Sequence, residues 1–339
     1  MSKIIKYYFR ERKHIIIIIS ISLLLITLFN FIDADFVYSY EHYETGELIY
    51  NTRNSPLPFL AFIAGALSTL FVIMEFSFKM NKISIDKMYS LPVKREKLYL
   101  SKLIFVIIEV LIPLTLCFLL AFLIVVSSEH MFNLIYFIPY YLLTVVAVIS
   151  MVIVLSFAYT RGNSSSDGVI NIIAYIFVFA VIAVFIQQLF GILYEDWNSL
   201  NFSLYGPLSM ICDLMDEKFD NTNYLDVNTS MITSFIFYGL LTCVFFYLFI
   251  RLNKLEKSEN TLEVSRSNFS YNFFIPVYSV TFSMVTIKEE TLILVIFIFI
   301  ATYMGLVIKN KTFKLAKKDY LQFIIIICIG ILFGIIHSL

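Results

Sequence analysis

Residues 57–127 read LPFLAFIAGALSTLFVIMEFSFKMNKISIDKMYSLPVKREKLYLSKLIFVIIEVLIPLTLCFLLAFLIVVS. Two apolar runs, 57–78 and 101–127, flank a polar and strongly basic stretch. A helix that crosses a bilayer needs about 20 mostly apolar residues, and both runs meet that length. Further apolar runs lie at 14–32, 134–158, 168–192, 231–252, 290–308 and 320–338. A shorter one with a proline covers 271–287. Ile15–Phe29 is followed by Asn30-Phe-Ile-Asp-Ala-Asp, not by a small-residue cleavage site, so it reads as a retained anchor.

Composition agrees. The chain is 60% hydrophobic and 15% charged, against about 45–50% and about 25% in soluble domains. The expected fold class is all-α, a polytopic membrane protein. Of the four cysteines, Cys117, Cys243 and Cys328 sit in apolar runs and Cys212 in a polar one. No CxxC spacing occurs, so neither a disulfide framework nor a zinc site is expected.

Orientation follows from lysine and arginine, which concentrate on the cytoplasmic side. With the N-terminus inside and 271–287 counted as a span, only Arg53, Lys218 and Lys288 of the 25 basic residues fall outside. If 271–287 does not cross, the five lysines of 309–318 move outside and Lys288 moves in. The charge distribution therefore favours nine spans, with the C-terminus outside. Two long outer segments, 33–56 and 193–230, are acidic, and the second holds the only tryptophan, Trp197. Acids outside are what a positive-inside distribution leaves behind. A vestibule attracting cations is the alternative.

Motifs for chemistry are missing. There is no Gly-Lys pair and hence no GxxxxGK[ST] phosphate loop, and no GxGxxG, HExxH or GxSxG. His14, His42, His130 and His337 are scattered and lack ligand spacing. No catalytic residue, metal site or bound cofactor is expected, and nothing points to nucleic acid. Two carboxyls, Glu75 and Glu109, fall in or near apolar runs. An ionisable group within a membrane is a functional candidate by default. Glu75 lies about one turn from the inner boundary and could reach water or meet Lys79 at i+4. Glu109, about two turns into its run, divides evenly between a helix–helix hydrogen bond and the transport path.

The basic stretch is organised. In SIDKMYSL, Ser84 reads as an N-cap and Asp86 as a first-turn acid. Ile85, Met88 and Tyr89 share a face, and Pro92 stops the helix at Leu91. Lys94, Arg95 and Lys97 then open the next span. Residues 3–13, KIIKYYFRERK, have the same amphipathic character, with Ile4, Ile5, Tyr8 and Phe9 on one side. Each short helix is either an interfacial anchor or a docking surface, and physics alone favours the anchor.

An N-terminal interfacial helix (2–13), two spans and an inner loop of the form D-x-x-x-S-L-P-V-x-R resemble the permeases of ABC-2 type exporters. Asp86, Ser90, Leu91, Pro92, Val93 and Arg95 occupy the matching positions. The resemblance covers residues 1–252 as a six-span core, with coupling loop 79–100 and outer segment 193–230. Residues 253–339, with two or three more spans and the lysine-rich inner loop 309–318, are similar to a Gram-positive subgroup. Some members of that subgroup export amphipathic peptides, including the phenol-soluble modulin exporters of staphylococci. The resemblance implies that Ser84, Ile85, Asp86, Lys87, Met88, Tyr89, Ser90, Leu91, Pro92, Val93 and Arg95 contact a separate ATPase subunit. Two such subunits and a second permease, identical or related, would complete the complex, with ATP and magnesium at the ATPase. A peptide-sensing or immunity component and an ion-coupled secondary transporter are the rival readings.

Overall fold

The computed structural model describes residues 2–32, 34, 38–41, 48–51, 57–128, 134–190, 229–255, 267–288, 292–315 and 317–338. Ten α-helices account for most of them: α1 (Ser2–Ile32), α2 (Leu57–Phe76), α3 (Lys82–Tyr89), α4 (Arg95–Ser127), α5 (Phe137–Thr160), α6 (Ser165–Phe190), α7 (Thr229–Leu255), α8 (Tyr271–Lys288), α9 (Leu292–Asn310) and α10 (Lys317–Ser338). Among the described residues each apolar run is helical, because hydrocarbon offers the backbone no partner but itself. The segments Ile5–Ile32, Phe59–Met80, Arg95–Ser127, Phe137–Thr160 and Tyr238–Leu255 are long and apolar enough to cross a bilayer. The chain is a polytopic helical membrane protein. Large apolar side chains such as Ile18, Phe62, Leu123 and Leu240 stand exposed along these helices, as a lipid solvent permits.

One element departs from the all-helical expectation. Strands β1 (Tyr38–Glu41) and β2 (Leu48–Asn51) pair antiparallel, Tyr38 opposite Asn51 and Glu41 opposite Leu48. They lie in the acidic segment 33–56. The outer segment 193–230, Trp197 and Cys212 lie outside the described residues, save the first residues of α7.

Several buried serines and threonines are satisfied within their own helix. Ser20, Ser68 and Thr144 each donate to the carbonyl four residues back at 2.7–2.8 Å. Pro113 lies within α4 and has no N–H to give the carbonyl of Glu109.

The chain forms two compact units. The first comprises residues 1–75, 93–154 and 205–251. In it α1 packs on α4, with Tyr8 against Phe105 at 5.7 Å between ring centroids. Phe118 of α4 meets Phe137 and Tyr141 of α5, and Tyr99 meets Phe249 of α7. The second comprises 76–92, 155–204 and 252–339. There α8 is central, packed on α6, α9 and α10.

The N-terminal segment corrects the sequence reading. No break separates an interfacial helix 2–13 from a span at 14; α1 is continuous from Ser2 to Ile32. Tyr8 is buried against α4 while Phe9 is exposed. The amphipathic stripe thus includes a face that packs on protein.

Candidate functional site

The candidate coupling segment begins where α2 tightens into a 3-10 turn, Ser77–Met80. Lys79 is buried and donates to the Gly162 carbonyl at 3.4 Å, while Glu75 is met from other helices by Lys102 and Arg12. The cap is also corrected. Asn81, not Ser84, is the N-cap of α3: its side-chain oxygen accepts from Ile83 N at 3.0 Å and Ser84 N at 3.4 Å. The helix starts earlier because an Asn in extended conformation satisfies the first orphan donors before Ser84 is reached. It ends at Tyr89, with Ser90 as C-cap two residues before Pro92.

The faces of α3 match their sequence reading. Ile85 is buried, Met88 and Tyr89 half-buried, and Asp86, Lys87 and Ser90 exposed. The apolar residues next to that polar face are exposed too. Ile83 is 81% exposed and Leu91 43%, with Pro92 beside it. Val93 is half-buried, and Arg95 is the exposed first residue of α4.

Two groups of buried charges stand out, one in each unit. In the first unit, Glu75 at the end of α2 is 2% exposed. Lys102 of α4 donates to its Oε2, and Arg12 of α1 places Nε 3.1 Å from Oε1 without hydrogen-bond alignment. The Lys102 ammonium also sits 4.1 Å from the Tyr8 ring centroid. One carboxylate thus ties three helices together. Glu109 is 1% exposed, and its Oε2 has no hydrogen-bond partner among the described residues. It stands fourteen residues after Arg95, nearly four turns into α4, deeper than its position in the apolar run suggests.

In the second unit the group centres on Arg161, which is buried. It donates to Asn253 Oδ1 and Thr160 Oγ1, and its guanidinium lies 5.4 Å from the Phe157 ring centroid. Asp167, capped through Ser164 at the start of α6, accepts from the Tyr271 hydroxyl at 2.9 Å. Ser270 donates to Asn171 and Tyr175 to the Phe269 carbonyl, each at 2.9 Å. These bonds zip α6 to the segment entering α8. Sequence reading missed this group. Arg161 and Asp167 occur in TRGNSSSDG, whose composition resembles a solvated loop, and only the long separation of their partners marks them as core.

No group of three or more metal-ligating side chains occurs among the described residues. No protein-family model, curated protein or solved structure matches the chain.

Proposed function

We propose that this chain is the transmembrane permease subunit of an ATP-driven exporter of the ABC-2 type, coupled to a separate ATPase through residues 84–95. The observation that carries the reading is the surface around α3. A helix of eight residues, capped by Asn81, follows one long apolar helix and precedes another in the chain. It buries one apolar side chain and exposes Ile83 and Leu91 beside Asp86 and Lys87. Exposed apolar residues ringed by charge suit a cleft in a soluble partner.

In this reading the chain crosses the membrane nine times from a cytoplasmic N-terminus. Closure of two ATPase subunits on ATP would push on α3 and the 91–95 turn, and so on the helices at either end. Cargo would be amphipathic or antimicrobial peptides or similar hydrophobic compounds, leaving along a path shared with a second permease. Glu109 is the group on that path best placed to respond, because Pro113 opens the helix backbone at its own carbonyl.

The test is a pull-down from detergent-solubilised membranes with Asp86→Ala, Leu91→Ala and Arg95→Ala combined. We expect an ATPase subunit to co-purify with the wild type and to be lost, or to hydrolyse ATP uncoupled from the permease, in the variant. A fully coupled variant would sink the assignment.

One observation favours a second reading, an ion-coupled transporter: the buried Glu75–Lys102 pair lies in the same unit as the buried carboxyl of Glu109. Uptake or efflux that follows an imposed proton gradient without any ATPase would support it.

A further inference from the structure

Helices α6, α8 and α9 line an open groove of about 420 Å³ within the second unit. Its wall is almost wholly apolar, built from Ile170 and Phe177 of α6, Phe274 and Phe282 of α8, and Ile298 and Ile308 of α9. The wall hydroxyls are already committed. Ser279 and Thr302 bond each other at 2.7 Å, and Tyr278 donates to the Ala174 carbonyl at 2.7 Å. The groove therefore offers a ligand contact area but few hydrogen bonds. Its volume falls within the roughly 300–1,000 Å³ of small-molecule sites. It is open, and Ile173 and Phe282 of its lining are about half exposed.

One end of the groove is charged. Ile308 lines it, and Lys309 follows directly. The chain then turns through 311–315 and is pinned back: Tyr303 donates to the Phe313 carbonyl at 3.2 Å, and Leu315 is buried with Tyr271, Phe274 and Leu306. Lys309 and Asn310 both bind Asp319, which neutralises the only acid of this turn. Lys311, Lys314, Lys317 and Lys318 stand exposed around it. An apolar slot ending in four exposed lysines, in a chain that lives in lipid, has one occupant that matches both halves.

We propose that this groove binds an anionic phospholipid, its acyl chain between α6, α8 and α9 and its phosphate at the lysines of 311–318. Basic clusters at the ends of membrane helices hold acidic head groups in this way. The proposal rests on the membrane-embedded fold and not on the exporter reading, so either can fail alone.

The test uses the full chain, purified in detergent and loaded from micelles containing equal phosphatidylglycerol and phosphatidylcholine. Native mass spectrometry reads which lipid stays bound. Wild type should retain phosphatidylglycerol preferentially, and each lysine changed among Lys314→Gln, Lys317→Gln and Lys318→Gln should lower that preference by up to about fivefold. Ala301→Trp, a plug on the exposed wall of α9, should reduce retention of both lipids. An unchanged preference in the triple lysine variant overturns the proposal, as does unchanged retention in Ala301→Trp. So does a change of oligomeric state with Ala301→Trp alone, which would make the groove an interface between copies. Displacement of the lipid by soluble glycerol phosphate would assign the lysines to a free phosphate and overturn it too. The lysines changed are exposed, on the 311–315 turn and at the start of α10, so they decide the matter even where the tryptophan disturbs packing.

Discussion

Glu75 shows how one side chain can organise three helices. Isolated in hydrocarbon its charge would be costly; held by Lys102 and flanked by Arg12, it becomes a fastening. Removing one partner is worse than removing both, because the survivor keeps its charge and loses its compensation. Lys102→Met should therefore destabilise the protein by about 3–5 kcal/mol, read as a lower unfolding midpoint in detergent. Adding Glu75→Gln to that variant should recover most of the loss. A neutral single variant would show that the pair carries no structural weight. None of this was legible in the sequence beyond the presence of a carboxyl near an apolar run. Spacing suggests Lys79 as the partner, since i+4 neighbours can be identified without knowing the fold. Lys102 is 27 positions away and becomes a neighbour only once α2 and α4 are side by side.

Helices, in contrast, were nearly all written in the chain. The runs 57–78, 231–252 and 320–338 appear as Leu57–Phe76, Thr229–Leu255 and Lys317–Ser338, since a long apolar run in lipid has no alternative to an α-helix. Errors gather at ends, where a single cap decides the boundary, as at Asn81. Helix packing adds a further demand on glycine. A Cβ on Gly168 would lie 2.7 Å from the Tyr159 ring, and one on Gly162 only 2.5 Å from the Gly168 nitrogen. Gly239 in α7 has nothing within 4 Å of that position. Gly168→Ala should therefore cost about 1–3 kcal/mol by overpacking, and Gly162→Ala at least as much, because backbone must move. Gly239→Ala should be neutral or stabilising by up to about 1 kcal/mol. Thermal unfolding of the three variants in one detergent compares them directly. An equal response at all three sites would contradict the packing described for α5 and α6.

The molecule as a whole is described by its membrane topology, and there charge was the informative signal. The nine-span reading puts the lysines of 309–318 on the cytoplasmic side, because the alternative moves all five out. In a chain cleared of native cysteines, Lys311→Cys should react with a membrane-impermeant maleimide only after the cells are permeabilised. Labelling in intact cells would remove a span and reverse the C-terminus. The candidate coupling site was legible for a related reason: a polar stretch between two spans stands out against apolar surroundings. The buried polar group around Arg161 did not stand out, since each member is common in loops and only their convergence is informative. The Glu75–Lys102 pair also bears on biogenesis. Synthesis from the N-terminus brings Glu75 out of the ribosome before Lys102, 27 positions later, and α1 with Arg12 has already emerged. The arginine is available as a temporary counter-charge during that interval, so the order of synthesis favours insertion of the first helices as a group, completed when the lysine arrives.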